Sequence, residues 1–441
     1  MKQASAFKAI LDVRRSELPL ALLMFGYFFL VITSFWILKP IKKSLFIEHY
    51  EQSGFNLLGW QMSGPQAELI AKVLNMVVAF AAVIVFTWLA RRFRRQQLSF
   101  VFTAFFLVSY AAYSFVLGAP GSGTVWSFYL FGDLFSTLMV ATFFAFLNDS
   151  VTPDAAKRLY GLVGLGGVSG GVFGSYVVAA LIAQVDRPQW LWICFAIGLM
   201  IAAVAFLAGR IVDRNPPPES APQEPPREEK APSARNPAVE GAVLVFRSPY
   251  LLSIVAIVGL YEIVSTILDF QFTSTIAHYL EGEAIGRQFS IVFAITNTLA
   301  LLVQLLLTGF VMSRLGVGVA LLVLPVAILA ASAGYAALPI LWMGSLLNTA
   351  DNGFSYSINQ SAKESLYVPT TKDEKYKAKA FIDMFVQRFA KAIAVVVSLG
   401  ITTVFVEFAS IRWLSAVIIP LIVLWIFAAV YAGRRFREVT E

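Results

Sequence analysis

Cysteine and histidine are almost absent: the 441 residues contain only Cys194, His49 and His278. One cysteine cannot build a disulfide framework, and three such residues scattered along the chain do not make a zinc or haem ligand set. Charge is scarce as well, at 14% of residues against about 25% in a soluble domain. The chain has no G-K-[ST] phosphate loop, no Ser/His/Asp constellation and no paired carboxylates of a catalytic kind. These absences argue against an ATP-driven pump and against a membrane enzyme. No catalytic residue, metal or cofactor is expected.

Apolar residues are abundant, at 58% with a mean hydropathy of +0.73. A helix needs about 20 apolar residues to cross a bilayer. Runs of that kind read as spans at 18–38, 67–90, 98–117, 124–147, 161–184 and 188–209, then 250–272, 289–311, 317–337, 340–361, 380–406 and 414–431. Twelve spans with their loops use nearly the whole chain, so lipid is its main surroundings. Residues 1–17 are polar and the first apolar run is long enough to stay in the membrane, so no cleaved leader is expected.

The basic residues fall in every second loop. Arg91, Arg92, Arg94 and Arg95 follow the second run; Lys157 and Arg158 follow the fourth; Lys372, Lys375, Lys377 and Lys379 follow the tenth. Lys2, Lys8, Arg14 and Arg15 precede the first run, and Arg434, Arg435 and Arg437 follow the last. This is the positive-inside pattern of an even number of spans in a cell (inner) membrane, with both termini cytoplasmic. Topology and anionic headgroups therefore account for the net charge of +7 without a nucleic-acid partner. The lipid bilayer and a small anionic solute are the expected partners, and a monomer the expected state.

Proline and charge fill 214–236, which can neither span nor pack. That stretch predicts three parts: an N-terminal six-helix half at 1–210, a flexible cytoplasmic linker at 211–240 and a C-terminal six-helix half at 241–441. The halves echo one another. The first span runs out through Phe46-Ile-Glu-His-Tyr50 and the seventh through Ile276-Ala-His-Tyr279. The fourth leads into Val151-Thr-Pro-Asp and the tenth into Val368-Pro-Thr-Thr. Parallel six-helix repeats are the plan of major-facilitator carriers, with the substrate site near the midplane between the repeats. Gly309-Phe-Val-Met-Ser-Arg-Leu-Gly316, read as the loop after the eighth span, resembles the facilitator signature G-x-L-x-D-R-x-G with Ser313 in place of the acid.

Charges inside spans are costly and need a partner, a watery cavity or a function. Lys39, Lys42 and Lys43 stand where the first span ends, beside Pro40. Snorkelling to the interface is one reading; an anion-attracting cluster is the other. Asp133 is mid-way along the fourth span, Glu262 and Asp269 lie two turns apart on the seventh, and Asp351 is in the tenth beside Asn348 and Asn352. The eleventh carries Asp383, Arg388 and Lys391. Such groups make interhelical ion pairs, or bind substrate or a coupling proton. The glycines of Gly161–Gly174 are expected to let helices approach closely. Tyr27, Trp36 and Tyr356 are aromatic candidates for stacking on a base, against the alternative of packing.

Three segments together resemble the plastid- and intracellular-parasite-type ATP/ADP translocase family. They are Ile37-Leu-Lys-Pro-Ile-Lys-Lys-Ser-Leu45; Asn148-Asp-Ser-Val-Thr-Pro-Asp-Ala-Ala-Lys-Arg-Leu-Tyr-Gly161; and Lys363-Glu364 with Tyr367-Val-Pro369, followed by Lys375-Tyr-Lys-Ala-Lys-Ala-Phe-Ile-Asp383. The resemblance implies an all-α, major-facilitator-like carrier of twelve helices that exchanges ATP for ADP or takes up nucleotides with protons. Carried over by position, Lys42 and Lys363 match family lysines, while Asp133 and Asp269 stand where the family has glutamates. Thr273 and Thr275 lie near positions of family lysines, which lowers the positive charge. The expected substrate-binding residues are Lys39, Lys42, Lys43, Arg388, Lys391, Lys363 and Tyr356. The expected coupling or ion-pair residues are Asp133, Asp269, Glu262, Asp351 and Asp383. The alternatives are a proton-coupled carrier or exporter of a non-nucleotide solute, and a non-transporting membrane scaffold.

Overall fold

The computed structural model describes residues 14–15, 17–214, 237–371, 377–405 and 407–440. Past Arg214, the linker read at 214–236 lies outside the described residues. The described chain is helical apart from one hairpin, Phe55–Leu57 (β1) paired with Trp60–Met62 (β2). Helices α1 to α6 are Leu18–Ser53, Gly64–Arg92, Arg95–Val116, Ser122–Ser150, Pro153–Leu181 and Arg187–Arg214. A short α7 (Pro237–Arg247) precedes α8 (Pro249–Tyr279), α9 (Glu283–Leu302) and α10 (Val317–Ala337). Then come α11 (Leu341–Phe354), α12 (Gln360–Ser365), α13 (Lys379–Phe381), α14 (Gln387–Val404) and α15 (Arg412–Thr440). Among the described residues, eleven helices are long and apolar enough to cross a membrane.

The tenth expected span, 340–361, is present as a helical run but is divided. A π-turn at Ser355–Asn359 separates α11 from α12, and neither piece is long enough to span alone. The eleventh, read as 380–406, is likewise α13, a π-turn at Ile382–Val386, and α14. Single π-turns inside helices occur often at functional sites.

Two expectations are corrected. The first span does not stop at residue 38: α1 continues for 36 residues to Ser53, with Pro40 inside it. Leu45, Phe46, Ile47 and Tyr50 are buried and keep the helix going past the lysines. The lysine cluster is thus in the body of a helix. The segment 309–316 is not a loop either. α9 continues through π-turns at Val303–Thr308 and Val311–Leu315, and the helix ends at Gly316.

The described residues form two compact units: Met1–Gly54, Leu74–Glu228 and Gly282–Ala294 in unit 1, and Phe55–Val73, Glu229–Glu281 and Ile295–Glu441 in unit 2. In unit 1, α1 is packed against α4, α5 and α6. Glycines let α5 close on it: a Cβ at Gly166 would lie 2.6 Å from the Phe25 carbonyl oxygen, and one at Gly174 2.7 Å from that of Thr33. Thr33 Oγ1 donates to the Gly170 carbonyl at 3.3 Å across the same seam. The expectation of close helix approach is met. In a bilayer, where apolar burial gives helices little reason to associate, such small-residue contact is a main source of packing energy. In unit 2, α8 is packed on α11, α14 and α15, around a core that includes Trp425, Tyr335, Leu347 and Ile418.

Candidate charged sites within the two units

In unit 1 the site begins with α1. Lys42 is 4% exposed and Lys43 5%, so neither snorkels. The Lys42 ammonium pairs with the Asp133 carboxylate of α4. It also donates to the Tyr129 carbonyl at 3.4 Å and lies 4.4 Å from the centre of the Tyr129 ring. Gly132 makes room for it: a Cβ there would sit 2.5 Å from Lys42 Cδ. Lys43 lies 5.1 Å from the Phe289 ring centre. Lys39 stands 4.4 Å from Trp36 and 4.7 Å from Phe293. Aromatic faces stabilise a cation electrostatically where water is excluded. Three lysines are thereby gathered on α1, two of them buried, where an anion would be strongly attracted.

Unit 2 carries the acids. Glu262, Ser265 and Asp269 recur along α8 at spacings of three and four, which places them on one face. Lys391 of α14 lies 3.5 Å from Glu262. Asp351 of α11 is 2% exposed and accepts a 2.6 Å hydrogen bond from Ser265. Tyr261 and Ser355 are joined by their hydroxyls at 2.8 Å. Tyr356 lies on the π-turn and is exposed. Arg388 is half-buried, one turn before Lys391.

Asp269 is paired with a residue that sequence reasoning did not single out. Its carboxylate meets Lys72 of α2, in the segment Phe55–Val73 that belongs to unit 2. Glu68, one turn earlier and 2% exposed, is 3.8 Å from the same ammonium. Gln66 donates to Thr402 of α14 at 3.0 Å. The available signal was Glu68 and Lys72 spaced four apart inside the second apolar run. Glu48 with Arg187 is a further pair not anticipated.

Lys363 and Asp383 form a separate group. Lys363 is within electrostatic range of Asp383. Lys379 donates to Glu364 at 2.5 Å and stands 5.5 Å from the Tyr367 ring. Of the stacking candidates, Tyr27 is fully buried against Phe143 and Phe146, a packing role. Thr273 and Thr275 are buried; Thr275 is 2.7 Å from the Tyr335 hydroxyl.

Comparison with known proteins gives a consistent picture. A family model described as Major Facilitator Superfamily matches residues 16–369, and one described as TLC ATP/ADP transporter matches residues 334–436. ADP,ATP carrier protein 1 of Chlamydia muridarum (strain MoPn / Nigg) is 22% identical, over 96% of this chain and 90% of the relative. ADP,ATP carrier protein 2, chloroplastic, of Arabidopsis thaliana is 21% identical, over 91% of this chain and 72% of the relative. Among solved structures, the nucleoside transporter NupG aligns with a TM-score of 0.59 at 12% identity, covering 95% of this chain and 99% of that one. The POT family transporter PepTSo aligns with a TM-score of 0.63 at 11% identity, covering 96% and 98%. At these identities the structural likeness speaks for the fold.

Proposed function

The chain belongs to the Major Facilitator Superfamily, and from that premise we propose that it is a secondary transporter of nucleotides, exchanging ATP and ADP across a cell (inner) membrane by alternating access. The observation that carries the reading is the group of three lysines on α1, two of them buried, at a depth where an unused positive charge would be costly. The match of residues 334–436 to the TLC ATP/ADP transporter model and the ADP,ATP carriers among the relatives support adenine nucleotides as the solute.

Lys42 and Lys43, with Lys39, bind the phosphates from unit 1, and Lys391 with Arg388 supplies charge in unit 2. Asp133 holds Lys42 when no phosphate does. A carboxylate and a phosphate oxygen compete for the same ammonium, so one acid–base pair serves both the empty and the loaded carrier. Asp351, Asp383 and Lys363 act in the ion pairs and hydrogen bonds that differ between carrier states. Tyr356 stands beside the phosphate path. Both termini face the cytoplasm, as the basic loops require.

The reading is tested by thermal stability of the purified protein against ATP, ADP, adenosine, inorganic phosphate, a sugar phosphate and a dicarboxylate. Binding to the folded state raises the melting temperature by mass action. ATP and ADP are expected to raise it and adenosine is not. A shift with a dicarboxylate alone would favour a carrier of another organic anion.

A further inference from the structure

We propose that Lys72 is a second phosphate-binding lysine, held in reserve by Asp269, with Glu68 as the residue that positions it. The inference rests on the reading of the substrate as a phosphate-bearing anion and adds a residue and an exchange of partners that the reading does not contain.

Lys72 and Asp269 form an ion pair in unit 2 whose two side chains are 26% and 27% exposed. Neither is sealed, and the proposal takes this opening as the route by which a phosphate meets the contact. Glu68 is different. It is 2% exposed, one helical turn from Lys72 on the same helix, and its carboxylate is 3.8 Å from the ammonium. Lys72 therefore stands between a fixed, buried acid and a reachable one on another helix. If a phosphate takes the place of Asp269, Lys72 keeps Glu68 behind it and exchanges one anionic oxygen partner for another. Removing a buried charge's partner outright is strongly unfavourable, whereas replacing it is not. Lysine suits the task, because its compact ammonium donates to oxygens in several directions.

The arrangement repeats the logic of unit 1. There Lys42 is the buried member and Asp133, 27% exposed, is the reachable acid. Each unit thus holds a lysine–aspartate pair whose aspartate is open to a competitor. Glu262, two turns away on α8, forms another pair in unit 2 with Lys391 of α14.

The test uses tripolyphosphate and ATP as probes, with affinities measured calorimetrically on the purified protein. A phosphate-binding lysine held by a competing acid predicts effects of opposite sign. Lys72→Gln is expected to weaken tripolyphosphate binding tenfold or more, and Asp269→Asn to tighten it several-fold by removing the competitor. Glu68→Gln, which loosens Lys72 from behind, is expected to weaken binding less than Lys72→Gln does. A purely structural ion pair predicts no such opposition. Weaker or unchanged binding in Asp269→Asn overturns the proposal by itself, even if Lys72→Gln does not fold. The two readings fail separately. Tripolyphosphate bound through Lys72, with ATP bound no better, would remove the nucleotide and keep this site. ATP binding unaffected by either substitution would keep the nucleotide and remove this site.

Discussion

Lys42 tests at the residue scale whether buried charge here serves function or folding. Its loss leaves Asp133 with an unmatched carboxylate at membrane depth, so Lys42→Gln alone mixes the two effects. The double substitution Lys42→Gln with Asp133→Asn separates them, because taking away both members of a buried pair is often near neutral for stability. The double variant is expected to melt within a few degrees of the wild type, yet to lose nucleotide exchange by about 100-fold. Recovery of exchange in the double variant would mean that the pair is structural only. Gly132 gives a second residue-level prediction. A methyl group there would sit against Lys42 Cδ, so Gly132→Ala is expected to lower exchange at least tenfold by displacing the ammonium. Counterflow in liposomes measures both.

The residues show what a sequence carries and what it hides. Lys39, Lys42, Lys43, Asp133, Asp269 and Asp351 were legible because a charge inside an apolar run is conspicuous by itself. A pairing of Asp133 with the α1 lysines was legible too, and Lys42 makes it; the partner of Asp269 was not. Nothing in the spacing of the sequence joins Asp269 to Lys72 across a separation of 197 positions, and the aromatic rings around Lys39 and Lys43 looked like ordinary membrane-facing residues.

The elements were read well in number and order, and less well at their ends. Apolar length gives a span its existence, but a hydropathy window stops at a cluster of lysines whether or not the helix does. That is why α1 was cut at 38 and observed to Ser53. The π-turn at Ser355–Asn359 is invisible to periodicity for a similar reason: it inserts one residue into a helix without changing its composition. The glycines of α5 were legible at once, because their density has few other uses. Packing a side chain into that seam should be costly. Gly170→Leu, beside the Phe29 carbonyl, is expected to destabilise by about 1–3 kcal/mol or more through overpacking. The readout is a lowered detergent melting temperature. An unchanged melting temperature would mean that α1 and α5 are not closely packed at this seam.

For the whole molecule, orientation is the claim that charge makes and contacts do not. The orientation proposed from the basic loops has both termini on the cytoplasmic side and the β1–β2 hairpin outside. Leu58, at the hairpin tip, is fully exposed. In a Cys194→Ser background, Leu58→Cys is expected to react with a membrane-impermeant maleimide added to intact cells, and Arg437→Cys only after permeabilisation. The reverse pattern would overturn the topology. The division into halves at 1–210 and 241–441 remains a proposal drawn from the repeats and the proline-rich stretch.

The most direct measurement of the central claim is exchange in reconstituted liposomes loaded with ADP, with labelled ATP added outside. Rapid uptake of ATP that requires internal ADP, and that disappears in Lys42→Gln with Asp133→Asn, is the result expected of a nucleotide exchanger built on the α1 lysines. Uptake independent of internal ADP and undiminished in that double variant would contradict it.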